Sequence, residues 1–415
     1  MRIRVGFTTV VVTALCAAVL AQARNERPNT AGEHWVTTWA TAQQLVAGGR
    51  PGGPPANLPE TLADQTVRMI TRVSLGGRRV RIELSNMVGT QPLEIGTAHI
   101  GLHKGGGAIV DGTDRVLSFG GKSSFTIPPG AAAVSDAVDL AIAPLSDVAV
   151  SLYLPRDTGP PTNHMLALHT AYIANGDVSG SPGIPDASTM FAYAWLAAID
   201  VAAPAEAFTV VALGDSITDG FATTRDANRA WPTLLAKRLN ANKATRETAI
   251  VNEGISGNQL LRDGAGVSAL ARLDRDVLAL PGVRWVILLE GINDINFRGR
   301  RAGPNALTSD ELIWGYRQIL ARCHAHGIRV MGATIMPEEG VPTASERGEE
   351  IRQAVNRWIR AAGNFDAVVD FDAVVRDPER PVRLKQEFDP GDHIHPNDTG
   401  NQAMADAFDL SLFER

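Results

Sequence analysis

The chain has 415 residues, of which 44% are hydrophobic and 20% are charged, and its formal net charge at pH 7 is -6. This composition is typical of a folded protein and argues against extended disorder, and the length leaves room for two domains. The acidic balance disfavours a nucleic-acid partner.

The first 23 residues have the pattern of a secretory signal peptide. An apolar stretch from Val5 to Leu20 follows two arginines, and Ala21-Gln22-Ala23 has the small-x-small form of a cleavage site. We expect cleavage after Ala23 and a secreted or periplasmic protein without an integral membrane span. An uncleaved anchor is the alternative, because the apolar stretch approaches the ~20 residues that cross a bilayer. Cleavage would remove Cys16 and leave Cys323 alone, so no internal disulfide is expected.

The region from about residue 35 to 200 is predicted to be all-β, because short alternating segments are separated by glycine and proline. Residues 67–73 and 80–85 each alternate apolar and polar side chains, and Gly76-Gly77 lies between them, which predicts a hairpin with one buried face. Residues 148–154 predict another strand. We predict a β-sandwich or jelly-roll domain over 35–200 and a linker from Asp200 to Glu206.

The second half, residues 206–415, alternates between strand-like and helix-like segments. The predicted strands are 208–213, 249–252, 284–289, 328–335 and 367–371, and the predicted helices lie near 229–240, 267–279, 309–325, 346–361 and 399–413. Five repeats of strand and helix indicate a parallel sheet covered by helices on both faces.

Four short motifs follow predicted strands or precede the last predicted helix. They are G-D-S-I-T-D-G at 214–220, G-I-S-G-N at 254–258, G-I-N-D at 291–294 and D-H-I-H-P-N at 392–397. In a parallel α/β sheet, ligands bind outside the carboxyl ends of the strands. We therefore expect the four motifs to lie close together.

These motifs contain the groups that ester hydrolysis through an acyl-enzyme requires. Such a site needs a nucleophilic hydroxyl, a base, a carboxylate that orients the base, and donors for the oxyanion. Ser216, His395 and Asp392 can fill the first three roles. Gly257, with Gly254 as the alternative, and Asn293 can donate to the oxyanion, as can the Ser216 N–H at the start of a helix. Each residue alone also fits a plainer role, as a helix cap or a turn residue.

On these motifs the chain resembles the SGNH hydrolases, also called the GDSL family of esterases and lipases, over about residues 206–413. The resemblance implies a flavodoxin-like three-layer α/β domain over 206–415 with a parallel sheet. It also implies a catalytic triad of Ser216, Asp392 and His395, an oxyanion hole formed by Ser216, Gly257 and Asn293, and no metal or organic cofactor. The arrangement with a preceding β domain more loosely resembles bacterial arylesterases and acylhydrolases encoded among xylan-degrading genes.

We therefore expect a secreted serine esterase that hydrolyses carboxylic esters, as a carbohydrate acetylesterase or a short-chain acylhydrolase. Acetylated polysaccharide is the first candidate substrate, whereas a lipase or arylesterase acting on small or lipid esters fits the chemistry equally. The loops after Gly220 and Asn258, and those at 295–304 and 337–347, are expected to shape the pocket. The acyl-chain length and the oligomeric state do not follow from the sequence.

Two other classes of function stay open. A non-catalytic glycan-binding protein would use the β region for binding. A metallophosphoesterase would need metal ligands, and its candidates are Asp215, Asp219, Asn293, Asp294, His393 and His395.

Overall fold

A computed structural model describes residues 33–44, 56–301, 303 and 306–414. The predicted signal peptide and the glycine- and proline-rich stretch at 48–55 lie outside these ranges. Residues Trp35–Arg415 form one compact unit, and the domain boundaries given above stay predictions. Within the described ranges, no helix is both long and apolar enough to cross a membrane.

The first half of the described chain consists of short strands. They are β1 (His34–Ala40), β2 (Gln65–Arg72), β3 (Gly77–Ser85), β4 (Leu93–Ile95), β5 (Thr97–Gly105), β6 (Ala108–Ile109), β7 (Arg115–Leu117), β8 (Phe125–Ile127), β9 (Ala132–Val134), β10 (Val138–Ile142), β11 (Asp147–Leu154), β12 (Asn163–His164), β13 (Ala171–Asn175), β14 (Ser188–Met190), β15 (Tyr193–Ala194) and β16 (Leu196–Ala203).

Most of these strands form two sheets that share one hydrophobic core. One sheet has the order β1-β16-β3-β10 with β9 beside β3, and the other has the order β14-β13-β2-β11-β5-β6 with β7 beside β5. The pairing is antiparallel, for example between β3 and β16 and between β2 and β11. Val80 and Ile199 of the first sheet are buried in the same core as Val67 and Val150 of the second. The predicted all-β character is confirmed for the described residues of this region, and the β-sandwich or jelly-roll connectivity stays a prediction.

The predicted hairpin is wrong, although both of its strands exist. β2 pairs with β11 and β13, whereas β3 pairs with β16 in the other sheet. Residues 66–71 of β2 are all buried, so this strand is covered on both faces rather than on one. The connecting residues bond elsewhere, since Val73 N–H donates to Ser146 O and Ser74 N–H donates to Thr38 O. The short connection therefore passes from one sheet to the other.

The predicted linker begins inside a strand, because β16 extends through Ala203. Asp200 on this strand is buried and accepts hydrogen bonds from Thr37 Oγ1 (2.8 Å) and Arg81 Nε (2.9 Å). These bonds satisfy the buried carboxylate of Asp200, which was predicted to lie in the linker.

The second half alternates strands and helices, as predicted. The strands are β17 (Phe208–Gly214), β18 (Thr248–Gly254), β19 (Val283–Leu289), β20 (Arg329–Ala333) and β21 (Ala367–Val369). The helices are α1 (Ser216–Asp219), α2 (Trp231–Ala241), α3 (Ala269–Leu273) continued by a π-helical turn (Asp274–Leu278), α4 (Ile292–Arg298), α5 (Ser309–Ala325), α6 (Glu346–Arg360), α7 (Phe371–Val375) and α8 (Asp398–Asp406), followed by a 3-10 turn (Leu410–Phe413). Helix α4 occupies the start of a segment that was predicted as a loop.

The five strands of this half form a parallel sheet in the order β18-β17-β19-β20-β21. Gly214 lies opposite Gly254 on one side and Leu289 on the other, so three neighbouring strands end at the same level. β18 lies on one side of β17, whereas β19 and the later strands lie on the other side. In open α/β sheets, ligands bind at the point where the strand order changes side in this way. The predicted α/β sheet is confirmed.

Strands and helices of this half share a large hydrophobic core. Val211 and Ile287 of the sheet are buried with Leu235 of α2 and Ile319 of α5. Cys323 on α5 belongs to the same core and is fully buried, and this burial raises the pKa of its thiol to about 12. The thiol is therefore protonated and chemically inert under ordinary conditions.

Candidate active site

The turn after β17 presents Ser216 at the start of the one-turn helix α1. Asp215 is the helix cap, because its carboxylate accepts a hydrogen bond from Ile217 N–H (3.0 Å). The capping role considered for Ser216 therefore belongs to its neighbour. Gly214 lets the turn lie close to the next strand, since a Cβ there would lie only 2.7 Å from Leu289 O.

The loop before α8 brings His395 against Ser216. His395 Nε2 lies 2.7 Å from Ser216 Oγ, and His395 Nδ1 lies 2.6 Å from Asp392 Oδ2. Asp392 also accepts hydrogen bonds from the N–H groups of Ile394 and His395. The Phe221 ring packs against the imidazole with a centroid distance of 4.4 Å. The predicted nucleophile, base and orienting carboxylate thus form one hydrogen-bonded row.

The Asp392 carboxyl group is strongly acidic in this setting. Partial burial favours its neutral form, but the hydrogen bond and charge of His395, together with the two N–H donors, outweigh burial and lower the pKa to about 2. Asp392 therefore carries a negative charge at neutral pH and holds the Nδ1–H tautomer of His395, which leaves Nε2 as the acceptor for the Ser216 proton.

In the loop after β18, the N–H of Gly257 is open to a ligand, whereas that of Gly254 is not. Gly254 N–H already donates to Asn252 Oδ1 (3.0 Å). Gly257 is buried with φ +83°, and its N–H finds no acceptor within the described part of the chain. The same loop is tied to the nucleophile turn, because Ile255 N–H donates to Gly214 O (3.0 Å).

Asn293 lies at the second position of α4, and its side chain faces the loop that contains Gly257. Its Nδ2 donates to Asn258 O (2.9 Å), which uses one of its two hydrogens and leaves the other for a ligand. The cap of α4 is Gly291, so the capping role considered for Asn293 is wrong. Asn293 is 4% exposed, so the amide is held in a fixed, buried position.

Arg272 was missed by the sequence analysis, although it joins the segments that carry the candidate site residues. Its guanidinium donates to Gly214 O (3.0 Å), Glu253 O (2.7 Å) and Asn258 Oδ1 (2.9 Å). These acceptors lie at the ends of β17 and β18 and on the loop that Asn293 contacts. One buried side chain therefore fixes the spacing of three segments that carry or contact candidate site residues. No local sequence motif around Arg272 predicts this role.

Two buried acidic side chains lie close to the guanidinium of Arg272. Its Nη1 lies 3.0 Å from Asp276 Oδ2, and its Nη2 lies 3.4 Å from Glu290 Oε1. Burial, and then repulsion from Asp276, raises the pKa of Glu253. Burial, and then repulsion from Asp215, raises the pKa of Glu290. The charge of Arg272 acts in the opposite direction on both. Burial and the neighbouring acids therefore favour the neutral form of both glutamates, whereas Arg272 favours the charged form.

His164 on β12 was also missed. Its Nε2 lies 2.9 Å from Asp219 Oδ1 at the end of α1, and both side chains are almost fully buried. Nothing in the sequence around His164 marks this contact, because its partner lies 55 residues away in the chain.

Two other candidate residues, Asp294 and His393, have hydrogen-bond partners outside the row formed by Ser216, His395 and Asp392. Asp294 accepts the N–H groups of Leu260 and Leu261 (2.7 and 3.1 Å), and burial raises its pKa to about 6. His393 is half-exposed and pairs with Asp389 (2.6 Å). Among the residues that the structure describes, no three acidic, histidine or cysteine side chains are grouped closely enough to hold a metal ion.

A family model of GDSL-like lipases and acylhydrolases matches residues 212–403, which include all five candidate site residues. This part of the chain is a GDSL-like lipase/acylhydrolase domain. The family expected from the motifs is therefore confirmed, and it is one of esterase- and lipase-type hydrolases. The search of curated proteins gave no match.

Solved structures similar to this chain include three bacterial proteins. An acetylxylan esterase from Geobacillus stearothermophilus is 24% identical, with 50% of this chain and 94% of that chain covered and a TM-score of 0.38. A GDSL-like lipase from Bacteroides thetaiotaomicron is 21% identical, with coverages of 48% and 84% and a TM-score of 0.35. A protein of the G-D-S-L family from Desulfitobacterium hafniense is 21% identical, with coverages of 48% and 96% and a TM-score of 0.37.

Proposed function

We propose that the protein is a secreted serine esterase that hydrolyses carboxylic esters through an acyl-enzyme at Ser216. The observation that carries this proposal is the row Ser216–His395–Asp392, with a distance of 2.7 Å between hydroxyl and imidazole and of 2.6 Å between imidazole and carboxylate. A base within this reach can take the hydroxyl proton as the oxygen attacks.

In the proposed cycle, Ser216 Oγ attacks the ester carbonyl carbon while its proton passes to His395 Nε2. The N–H groups of Ser216 and Gly257 and the Nδ2 group of Asn293 hold the oxyanion. The bond to the alcohol then breaks, and His395 returns the proton to the departing alcohol oxygen. Water attacks the acyl-enzyme with His395 as base, and the acid leaves as Ser216 regains its proton. The cycle uses no metal or organic cofactor.

The substrate proposal is an acetylated polysaccharide, so that the enzyme acts as a carbohydrate acetylesterase or short-chain acylhydrolase. Export and a β region beside the α/β domain suit a polymeric substrate, and small aryl or lipid esters are the alternative. We further propose a flavodoxin-like layering of the domain, which the strand order supports, and export through the predicted signal peptide.

The test is a series of nitrophenyl esters from acetyl to long acyl chains, measured beside acetylated xylan. We expect turnover that falls with chain length, release of acetate from xylan, and no loss on treatment with a chelator. Ser216→Ala should abolish turnover, and a fluorophosphonate should label the peptide that contains Ser216 only in the wild type. Turnover by Ser216→Ala, or activity that a chelator removes, would contradict the serine mechanism.

A further inference from the structure

A buried histidine of the β region makes hydrogen bonds at both ring nitrogens. His164 Nδ1 lies 2.8 Å from Ala42 O, and its Nε2 lies 2.9 Å from Asp219 Oδ1. A carbonyl oxygen only accepts, so Nδ1 must be the donor there, and a carboxylate accepts from Nε2. Burial lowers the pKa of His164, but the charge and hydrogen bond of Asp219 reverse this effect and raise it. Each ring nitrogen of His164 therefore faces an acceptor, and the imidazolium form satisfies both by donating from both sides.

The second oxygen of Asp219 holds the loop that contains Gly257. Asp219 Oδ2 accepts hydrogen bonds from Ser256 N–H (2.8 Å) and Ser256 Oγ–H (2.7 Å). Gly257 follows directly, so the direction of its N–H depends on where Ser256 is held. Gly254 lets the two segments touch, because a Cβ there would lie only 2.3 Å from Asp219 N.

We propose that His164 is a positioning residue for ester hydrolysis, which acts through Asp219 and Ser256 to aim the Gly257 N–H at the oxyanion. The proposal rests on the function proposed above and gives the β region a part in catalysis. The hydrogen bonds form a continuous path from Ala42 O through His164 and Asp219 to the loop after β18.

The chemistry of the path explains why a charged pair would be kept in the interior. Removing an imidazolium and a carboxylate from water is costly, and an apolar pair of similar size would pack there as well. An oxyanion donor, in contrast, contributes only when it is aimed at the developing charge before the reaction begins. A carboxylate held by a fixed cation can keep two donors of one loop in a single arrangement.

His169 provides a matched control from the same part of the chain. It is also a buried histidine, its Nε2 lies 2.9 Å from Asn228 Oδ1, and within the described chain neither residue is hydrogen-bonded to residues 255–258. Loss of either histidine imidazole removes a similar volume and one buried hydrogen bond to a side chain. Only the loss of His164 breaks the path to Gly257.

The experiment compares His164→Gln, Ser256→Ala and His169→Gln in the full chain, with nitrophenyl acetate as substrate. We expect His164→Gln to lower kcat by about ten- to a hundredfold, the range typical of a residue that orients a catalytic group, with KM within about threefold. The rate of Ser216 phosphonylation should fall by a similar factor. His169→Gln should keep kcat within about twofold.

Ser256→Ala keeps the proposal testable if His164→Gln does not fold. It removes one of the two hydrogen bonds to Asp219 at a partly exposed position, and it should also lower kcat with little change in KM. In the double variant the two effects should be less than additive, because both act on one path. Wild-type kcat in either single variant, or an equal loss in His169→Gln, would overturn the positioning role. Turnover retained by Ser216→Ala would instead overturn the proposed function itself.

Discussion

At the scale of single residues, the side chain of Asn293 gives the most direct test of the oxyanion hole. Removing one oxyanion donor typically lowers turnover by about two to three powers of ten, so Asn293→Ala should lose this much kcat with little change in KM. Steady-state kinetics on nitrophenyl acetate measures the effect. Asn296→Ala is the control, since this buried residue lies on the same helix and accepts from Thr343 Oγ1 instead. An Asn293→Ala enzyme within twofold of wild type would refute the assignment.

Glu338 makes the stability of the protein depend on pH. Burial raises its pKa from 4.5 to about 7, while the nearby Arg352 acts in the opposite direction. Between these two values the folded state holds a proton that the unfolded chain has lost, so this group makes stability fall as pH rises through that window.

Glu338→Gln removes this titration. From pH 4.5 to 7.5 the wild type should therefore lose on the order of 3 kcal/mol more unfolding free energy than the variant. Urea unfolding at both pH values measures the difference. Glu339→Gln is the control, because this neighbour pairs with Arg380 (2.7 Å) nearer the surface. Parallel pH curves for wild type and Glu338→Gln would contradict the effect of burial.

The proximity of Ser216, Asp392 and His395 was predictable because each residue stands in a short motif at a loop of a recognisable α/β pattern. Arg272 and His164 were not predictable in this way. Their roles come from hydrogen bonds to atoms that are distant in sequence, and an isolated arginine or histidine gives no local signal of such a bond. Motifs therefore reveal candidate catalytic residues more readily than the residues that hold them in place.

At the scale of elements, Arg272 should matter to stability because it joins the ends of β17 and β18. Its replacement by methionine takes the buried guanidinium away from Asp276, Gly214 O and Glu253 O, and leaves Asp276 paired with Arg275. Breaking a buried ion pair typically costs about 3–5 kcal/mol, and we expect Arg272→Met to lose that much unfolding free energy. Urea denaturation gives the value.

Arg300→Met serves as the control for this substitution. Arg300 is exposed, so its loss should change stability by no more than about 0.5 kcal/mol. If Arg272→Met unfolds at the wild-type urea concentration, the guanidinium does not hold the strand ends together.

The elements themselves were largely predictable, whereas their pairing in the β region was not. The five strands of the parallel sheet are apolar runs separated by long helices, and this pattern permits few arrangements. β2 and β3 also have clear strand patterns, but a short connection can either form a hairpin or cross between two sheets. Which of the two forms depends on β11, β13 and β16, the strands that pair with β2 and β3. The sequence between residues 65 and 85 holds no information about the positions of these partners.

At the scale of the whole molecule, buried polar contacts connect the β strands to the parallel sheet. Ile250 N–H donates to Ser74 Oγ (3.0 Å), and Thr209 Oγ1 donates to Thr37 O (2.9 Å). Separation of the two regions would expose these groups and the apolar surface around them. We therefore expect one cooperative thermal transition, with equal calorimetric and van't Hoff enthalpies.

Differential scanning calorimetry checks this expectation for the full chain. Thr209→Val, which removes one of the connecting hydroxyls, should lower the melting temperature of that single transition without dividing it. Two separate transitions in the wild type would show that the β strands and the parallel sheet unfold independently.

The buried thiol of Cys323 has a practical consequence for following substrate binding. Once Cys16 is removed with the predicted signal peptide or replaced by serine, Cys323 is the remaining cysteine, and its buried thiol would not react with a maleimide. A cysteine introduced by Ala222→Cys, at an exposed position beside Phe221, would then be labelled selectively. We expect a fluorophore attached there, next in the chain to the ring that packs against His395, to change its emission when an ester binds.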